Sequence, residues 1–402
     1  MIRKLLPLFL SVILLLSLVV SVLLLAGVEA RAQCTEVVSG LRIPLGITQS
    51  NKDNLIVSET GTGPLHSGRI SIVDPNGSRR TLLNGLPSAI NDVLEPSGPA
   101  GVSMRGRTLY VVIGIGNSIV AGGPGVAFEN PNPSSPLFSS ILALHFSAST
   151  EKNTTGFALS FANQVALASG QKVTLSNGAG EKLTIELIVN FPNFTPKPGP
   201  PGNVSGSNPF DLVIVGNQIY VTDGGQNSVW QVDLSTGAFS TLVTFPPVTN
   251  TLFPGFGPPF SEAVPTGIAY ADGQLLVTLF TGFPFPPGAS RVEQVDPSTG
   301  AHSSLITGRK TAIDVLPINE GSDTDYLVLQ YASPFGPFFP PPGLLLLFET
   351  PGGPPTTVAS CMTRPTSIVL DEKTGTLYIT ELGPGPPSLP TAGRVVSVPF
   401  TP

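Results

Sequence analysis

The chain has 402 residues, and its 44 Gly and 43 Pro leave few uninterrupted windows in which a long helix could form. Only 11% of the residues are charged and 41% are hydrophobic, so the chain can bury a large core and general disorder is excluded. The formal charge of -6 offers no basic surface for phosphates, which excludes a nucleic-acid partner. The composition predicts an all-β protein with many short strands.

The N-terminus has the pattern of a secretory signal. Arg3 and Lys4 precede an apolar run over residues 5–27, and a small-residue cleavage site ends at Ala32. We therefore expect residues 1–32 to be a signal peptide and the mature protein to be secreted or periplasmic. The apolar run is also long enough to cross a bilayer, so an uncleaved membrane anchor is the alternative.

One sequence pattern recurs along residues 33–402. It consists of a start that contains Pro or Gly, an apolar strand, a Gly turn, a second strand that ends in a polar residue, and a third strand. The clearest copies begin at Asn208, Pro265 and Pro365, and weaker copies begin near Ile43, Gly98 and Ala312. Six units of about 60 residues fill the domain, which is typical of a β-propeller. We predict a single domain with six antiparallel, four-stranded blades.

The second unit is longer than the others. Residues 156–167 within it predict a short helix inserted at one rim. The extra length leaves a seventh blade as the alternative to six. A β-sandwich is disfavoured because it would not repeat one strand-turn-strand phrase six times.

The two cysteines indicate one disulfide bond. Cys34 and Cys361 are the two cysteines of the chain, and export would place them in an oxidising compartment. If they form a disulfide, the strand that begins near Cys34 should complete the last blade or lie against it. The alternative is a pair of unrelated buried thiols.

Two segments resemble the ScyD/ScyE family, whose members are associated with biosynthesis of the sunscreen scytonemin and have many relatives among exported bacterial proteins. Residues 264–292 contain the unusual T-G-F-P-F-P sequence that starts at Thr281. The N-P-F sequence at Asn208 and the Y-V-T-D-G-G-Q-N sequence over residues 220–227 carry the second likeness, in which Gly225 departs from the usual Ala. The resemblance implies a six-bladed, NHL-like propeller and no established catalytic activity.

Carboxylates end the second strands of three units at matching positions, namely Glu59, Asp223 and Glu381. In a propeller such strand ends meet at one mouth of the central channel. Carboxylates that converge there could hold Ca²⁺ or another divalent cation, with Asn208 and Asn227 as further oxygen ligands.

A structural role for the same carboxylates is the alternative. They would then satisfy turn amides and pair with Arg69 and Arg394, which begin the third strands of the units that hold Glu59 and Glu381. Thr278 and Gln330 stand at the matching places of two further units.

The loop over residues 281–290 supplies two more candidates, Phe283 and Phe285. Its successive prolines remove backbone donors, so the segment cannot continue a strand. Two Phe in a stiff segment suit either packing across the channel mouth or contact with a ligand. We expect one ring to be buried and the other to be exposed.

Two functions follow. The first is an exported binding module of the ScyD/ScyE type that binds a small molecule, polymer or protein at the channel mouth without catalysis. The second is a divalent-metal-dependent hydrolase, as the acidic-plus-Asn cluster of gluconolactonase-like propellers would imply. Neither a G-x-S-x-G nor an H-E-x-x-H motif occurs in the sequence, so the catalytic residues are unknown. We expect a monomer that meets a membrane only through an uncleaved N-terminal segment.

Overall fold

The computed structural model describes residues 32–320, 323–335, 338–384 and 391–400. Six antiparallel sheets stand around one axis as the blades of a six-bladed β-propeller, which confirms the predicted fold. The first strand of each blade lies innermost and contacts the first strands of both neighbouring blades, so six strands surround a central channel. The predicted signal peptide or anchor covers residues 1–32, and all of it except Ala32 lies outside the described residues.

The strands follow the repeat. The chain starts with β1 (Thr35–Leu41), and blade 1 contains β2 (Pro44–Gln49), β3 (Leu55–Glu59), β4 (Gly68–Val73) and β5 (Arg79–Leu86). The hairpin of β6 (Ala89–Ile90) and β7 (Pro96–Ser97) leads to blade 2. That region contains β8 (Pro99–Arg105), β9 (Thr108–Ile113), β10 (Ile119–Gly123), β11 (Val126–Glu129), β12 (Ser140–Phe146), helix α1 (Ala148–Asn153), β13 (Phe157–Ala158), helix α2 (Phe161–Ala168), β14 (Val173–Ser176) and β15 (Lys182–Asn190).

The remaining blades are more regular. After the hairpin of β16 (Phe194–Pro196) and β17 (Val204–Gly206), blade 3 contains β18 (Pro209–Val215), β19 (Gln218–Asp223), β20 (Ser228–Asp233) and β21 (Phe239–Thr244). After β22 (Val248–Thr249) and β23 (Phe260–Ser261), blade 4 contains β24 (Pro265–Ala271), β25 (Gln274–Leu279), β26 (Ser290–Val295) and β27 (His302–Arg309). Blade 5 contains β28 (Ala312–Glu320), β29 (Asp323–Gln330), β30 (Gly343–Phe348) and β31 (Thr356–Met362), and blade 6 contains β32 (Pro365–Asp371), β33 (Thr376–Glu381) and β34 (Gly393–Pro399).

The same register recurs in all six blades. The first residue of strand 1 lies opposite the last residue of strand 2, and that first residue is Pro in five blades, where a missing N–H is tolerated. The six pairs are Pro44 with Glu59, Pro99 with Ile113, Pro209 with Asp223, Pro265 with Leu279, Ala312 with Gln330, and Pro365 with Glu381. The expected match at Thr278 is therefore wrong by one residue, because Leu279 takes that place.

Buried hydroxyl groups join neighbouring blades near the channel. The Thr278 hydroxyl of blade 4 donates to the Ile313 carbonyl of blade 5 at 3.1 Å. The Thr366 hydroxyl of blade 6 donates to the Pro44 carbonyl of blade 1 at 2.8 Å. Since each bond spans two blades in a buried position, these hydroxyls satisfy backbone groups that the sheets leave open.

The ring closes as expected. β1 pairs with β34 and supplies the fourth strand of blade 6. Cys34 and Cys361 form a disulfide with their Cα atoms 5.8 Å apart, which confirms the predicted pairing. Because Cys361 belongs to β31, the disulfide joins the outer strands of blades 5 and 6.

The insertion in blade 2 differs from its prediction. In place of one helix over residues 156–167, the described chain has two short helices with β13 between them. α2 begins only at Phe161, since the Ser160 side chain caps it by accepting from the Asn163 N–H. β13 adds to blade 1 in parallel with β5, and β14 adds to blade 2, so both sheets have five strands. No helix in the described part of the chain is long and apolar enough to cross a membrane.

The connections divide between two faces. Among the described residues, the connections from strand 2 to strand 3 and those from one blade to the next lie on the side where strand 2 ends. We call this side the loop face. Its long described segments are 60–67, 87–98, 114–139, 191–208, 245–264, 280–289, 331–335 and 338–342, whereas short turns such as 50–54 and 106–107 join strands 1 and 2 on the opposite face.

Candidate functional site

Glu59 has a structural environment. Its side chain is fully buried at the end of β3 and forms a two-pronged ion pair with Arg69, with the Nε to Oε1 distance at 2.8 Å. The Ser71 hydroxyl and the Arg42 backbone N–H donate to the same carboxylate. Four donors therefore occupy both of its oxygens, as the structural alternative predicted.

Glu381 repeats this arrangement in blade 6. It is fully buried, accepts from the Arg394 guanidinium, and accepts from the Thr363 N–H at 2.8 Å. Burial raises the pKa of this carboxyl group, and the Thr363 and Arg394 hydrogen bonds act against that increase.

Asp223 is buried, and within the described part of the chain it forms no ion pair. Its carboxylate accepts from the Ser207 hydroxyl, from the Trp230 indole N–H at 2.9 Å, and from three backbone N–H groups, those of Asn208, Gly225 and Gln226. Burial raises the pKa of Asp223, while these hydrogen bonds oppose the rise. The carboxylate therefore organises the turn after β19.

The two predicted Asn companions also hold loops in place. The Asn208 side-chain oxygen accepts from the Ile115 N–H at 3.1 Å, which joins blades 3 and 2. The Asn227 side chain accepts from the Val264 N–H and donates to Glu262 at 2.6 Å.

The predicted metal ligands do not come together. Within the described residues, no group of three His, Cys, Asp or Glu side chains could hold a metal ion, and Glu59, Asp223 and Glu381 are all described. The physical reason is that each carboxylate is turned into its own blade by local donors. The prediction of a Ca²⁺-type site at these residues thus finds no support in the geometry.

The channel contains two carboxylates that the sequence analysis did not select. The third residue of strand 1 is equivalent in all blades, and in chain order these residues are Gly46, Gly101, Asp211, Gly267, Asp314 and Ser367. Glycine allows close approach here, since a Cβ atom on Gly101 would lie 2.4 Å from Asp211 Oδ1, and one on Gly267 would lie 2.5 Å from Asp314 Oδ1.

Each carboxylate accepts hydrogen bonds from the next blade in chain order. Asp211 Oδ2 accepts from the Ile268 N–H at 3.2 Å, and Asp314 Oδ2 accepts from the Ile368 N–H at 3.0 Å and from the Ser367 hydroxyl. Burial, and after it the charge of Asp314, raises the pKa of Asp211 well above its usual range. Burial raises the pKa of Asp314 to about 6. Both carboxyl groups therefore keep their protons to a higher pH than an exposed aspartate does.

Aromatic rings form a second feature on the loop face. Phe285 lies 4.5 Å from Phe339, and both lie near Phe280. Tyr331 is 5.2 Å from Phe339 and 5.6 Å from Phe280, and burial strongly raises its pKa. Loops 280–289 and 331–342 therefore share one small aromatic core above blades 4 and 5.

The outer edge of this core is exposed. Phe283 is 49% exposed and lies 5.3 Å from Phe256, which in turn lies 6.2 Å from Phe338. We call Leu252, Phe253, Phe256, Phe260, Phe283, Phe335 and Phe338 the Phe surface; all seven are exposed. Summed over the seven side chains, the exposed area is roughly 700 Å², taking about 200 Å² for a whole aromatic side chain.

Charge is nearly absent around the Phe surface. The loop-face segments 191–208, 224–227, 245–264, 280–289 and 331–342 contain only Lys197 and Glu262 as charged residues. These two pair with each other at 3.5 Å. The surface is therefore neutral as well as apolar.

No family model and no curated protein matches the chain. Several solved structures align with most of the chain. A gluconolactonase from Xanthomonas campestris is 12% identical over 94% of this chain and 93% of its own, with a TM-score of 0.49. A putative glucose dehydrogenase from Thermus thermophilus is 14% identical over 91% and 99%, also at 0.49. A PQQ-bound aldose sugar dehydrogenase from Streptomyces coelicolor is 11% identical over 92% and 99%, at 0.47. At such identities the likeness concerns the fold alone.

Proposed function

We propose that the protein is a binding module of the ScyD/ScyE type and that the Phe surface is where it binds. Exposed apolar patches on soluble proteins rarely exceed a few hundred Å², and larger ones mark interaction sites. The Phe surface reaches roughly 700 Å², which approaches the area that one partner contributes to a standard interface. The size of this neutral surface is the observation that carries the proposal.

The contacts of the predicted metal ligands support a function that uses no metal at the strand ends. Glu59 and Glu381 are held by Arg69 and Arg394, and Asp223 by five hydrogen-bond donors. Releasing any of these carboxylates for a ligand would leave buried donors without partners, which is unfavourable.

The dye 8-anilinonaphthalene-1-sulfonate tests the proposal because it fluoresces on exposed apolar surface. The double variant Phe256→Ala with Phe283→Ala should lose most of the dye fluorescence of the folded protein. Tyr270→Ala is the matched control, since Tyr270 is 39% exposed at the end of β24 on the opposite face. Equal fluorescence in all three proteins would contradict the proposal.

A second candidate function is hydrolysis in the channel, and the observation that favours it is the pair Asp211 and Asp314. A carboxyl group that keeps its proton beside one that has lost it can act as general acid and base. A lactone substrate assayed with and without a chelator tests this candidate. If the channel is catalytic, the parent protein hydrolyses the lactone and the Asp211→Asn variant does not. Activity that survives this substitution would refute the candidate.

A further inference from the structure

We infer that the partner of the loop face is a lipid surface, specifically the interfacial layer of a zwitterionic phospholipid bilayer. This inference rests on the proposed function and names its ligand. Three observations carry it: where the exposed apolar side chains lie, how they are presented, and which charges accompany them.

Exposed apolar side chains concentrate on one face. Sixteen large apolar side chains are exposed in the described part of the chain, and twelve of them belong to loop-face segments. Besides the Phe surface, these are Leu65, Ile90, Val93, Leu94 and Val120. They come from loop-face segments of blades 1 to 5. A partner that covers all of them must be as wide as the propeller face. A bilayer is wide enough, and it does not need a complementary shape.

The hairpin between blades 1 and 2 presents its apolar residues at a tip. Val93 is 63% exposed and Leu94 is 82% exposed. The Asn91 side chain accepts from the N–H groups of Val93 and Glu95 at 3.1 and 2.8 Å, which fixes the turn. The exposed tip therefore presents two apolar side chains on a turn with a fixed conformation.

The charges favour a zwitterionic bilayer over an anionic one. Binding to anionic lipid depends on clusters of Lys and Arg, and the loops around the Phe surface contain one Lys, which pairs with Glu262. Segments 87–98 and 114–139, which present Ile90, Val93, Leu94 and Val120, contain no Lys or Arg, and their charged residues are the acidic Asp92, Glu95 and Glu129. The whole chain has a net charge of -6. Phe and Leu side chains, in contrast, enter the boundary between headgroups and acyl chains without any charge attraction. Binding should therefore be insensitive to salt.

A fluorescent label at single positions tests the inference in the full chain. Both cysteines form the disulfide, so an introduced cysteine is the free thiol that takes an environment-sensitive nitrobenzoxadiazole label. We place it at Leu94→Cys and Phe283→Cys on the loop face, and at Tyr270→Cys on the opposite face as the matched control. Each labelled protein is first checked for an unchanged melting temperature.

Phosphatidylcholine vesicles should shift the emission to the blue at positions 94 and 283 and leave position 270 unchanged, at low and high salt alike. Since the readout is local, contact of another part of the chain with the vesicles does not reproduce this pattern. A shift that needs anionic lipid at low salt, an equal shift at position 270, or no shift would overturn the inference. So would a blue shift without vesicles that accompanies a doubled mass in light scattering, because the occupant would then be a second copy. Loss of the lipid response with intact dye binding would leave the proposed function standing.

Discussion

Asp211 and Asp314 occupy the same position of two innermost strands, and each lies between a glycine of an earlier blade and a backbone N–H of a later one. Burial and the charge of Asp314 raise the pKa of Asp211, and burial raises that of Asp314 to about 6. Two buried carboxylates that accept hydrogen bonds mainly from backbone N–H groups thus occupy a position that is Gly or Ser in the other blades.

This pair makes stability depend on pH. A carboxyl whose pKa is higher in the folded than in the unfolded state binds its proton more tightly when folded, so stability falls as pH rises from about 4 to about 6. Asp314→Asn should flatten this dependence and raise the free energy of unfolding at pH 7 by about 1–3 kcal/mol. Urea unfolding at pH 4.5 and pH 7 measures both effects. A variant that is less stable than the parent at pH 7 would contradict the assignment.

The loop 280–289 contains a matched pair of rings. Phe285 packs on Phe339, whereas Phe283 is half exposed at the outer edge. Phe285→Ala should lower the free energy of unfolding by about 2 kcal/mol, and Phe283→Ala by less than about 1 kcal/mol. Thermal unfolding of both variants tests the split, and equal destabilisation would refute it.

Close packing of the innermost strands depends on glycine. A Cβ atom at Gly267 would lie 2.6 Å from the Asp314 Cα atom, so Gly267→Ala should cost about 1–3 kcal/mol of stability through overpacking. Gly178→Ala is the control, since no atom would lie within 4 Å of its Cβ atom. We expect that variant to change stability by less than about 0.5 kcal/mol. Two variants of equal stability would show that the blades can separate at this point.

The carboxylates at the strand ends should behave as structural groups. Glu59→Ala leaves the Arg69 guanidinium buried without its partner, which should cost about 3–5 kcal/mol. Glu36→Ala removes an exposed ion pair to Arg394 and should cost less than about 1 kcal/mol. A chelator should leave the melting temperature of the parent protein unchanged. Stabilisation by added Ca²⁺ that Glu59→Ala abolishes would instead restore the metal hypothesis.

Much of the fold could be predicted because the signals are local. The apolar inner strand recurs in all six units, and five of these strands start with Pro, so the repeat leaves few architectures. The pairing of Cys34 with Cys361 followed from there being two cysteines in the chain. The start of α2 was placed too early, because the cap at Ser160 is set by one side-chain contact within a region of mixed signals.

The site was harder to predict because it depends on the direction in which each side chain points. Glu59, Asp223 and Glu381 are in register along the strands, yet register does not say whether a carboxylate turns toward the channel or into its own blade. Asp211 and Asp314 had a usable signal, since aligning the third residue of each inner strand places them beside Gly and Ser. The Phe surface joins loops that are far apart in sequence, and only the folded ring brings Phe256, Phe283 and Phe338 together.

Hydrogen–deuterium exchange with phosphatidylcholine vesicles tests most directly the inference that the loop face binds a phospholipid bilayer. The account predicts slower exchange in residues 252–260 and 280–289, with unchanged exchange in the opposite-face turns at residues 272–273 and 372–375. Protection of those opposite-face turns, or unchanged exchange throughout the loop face, would contradict it.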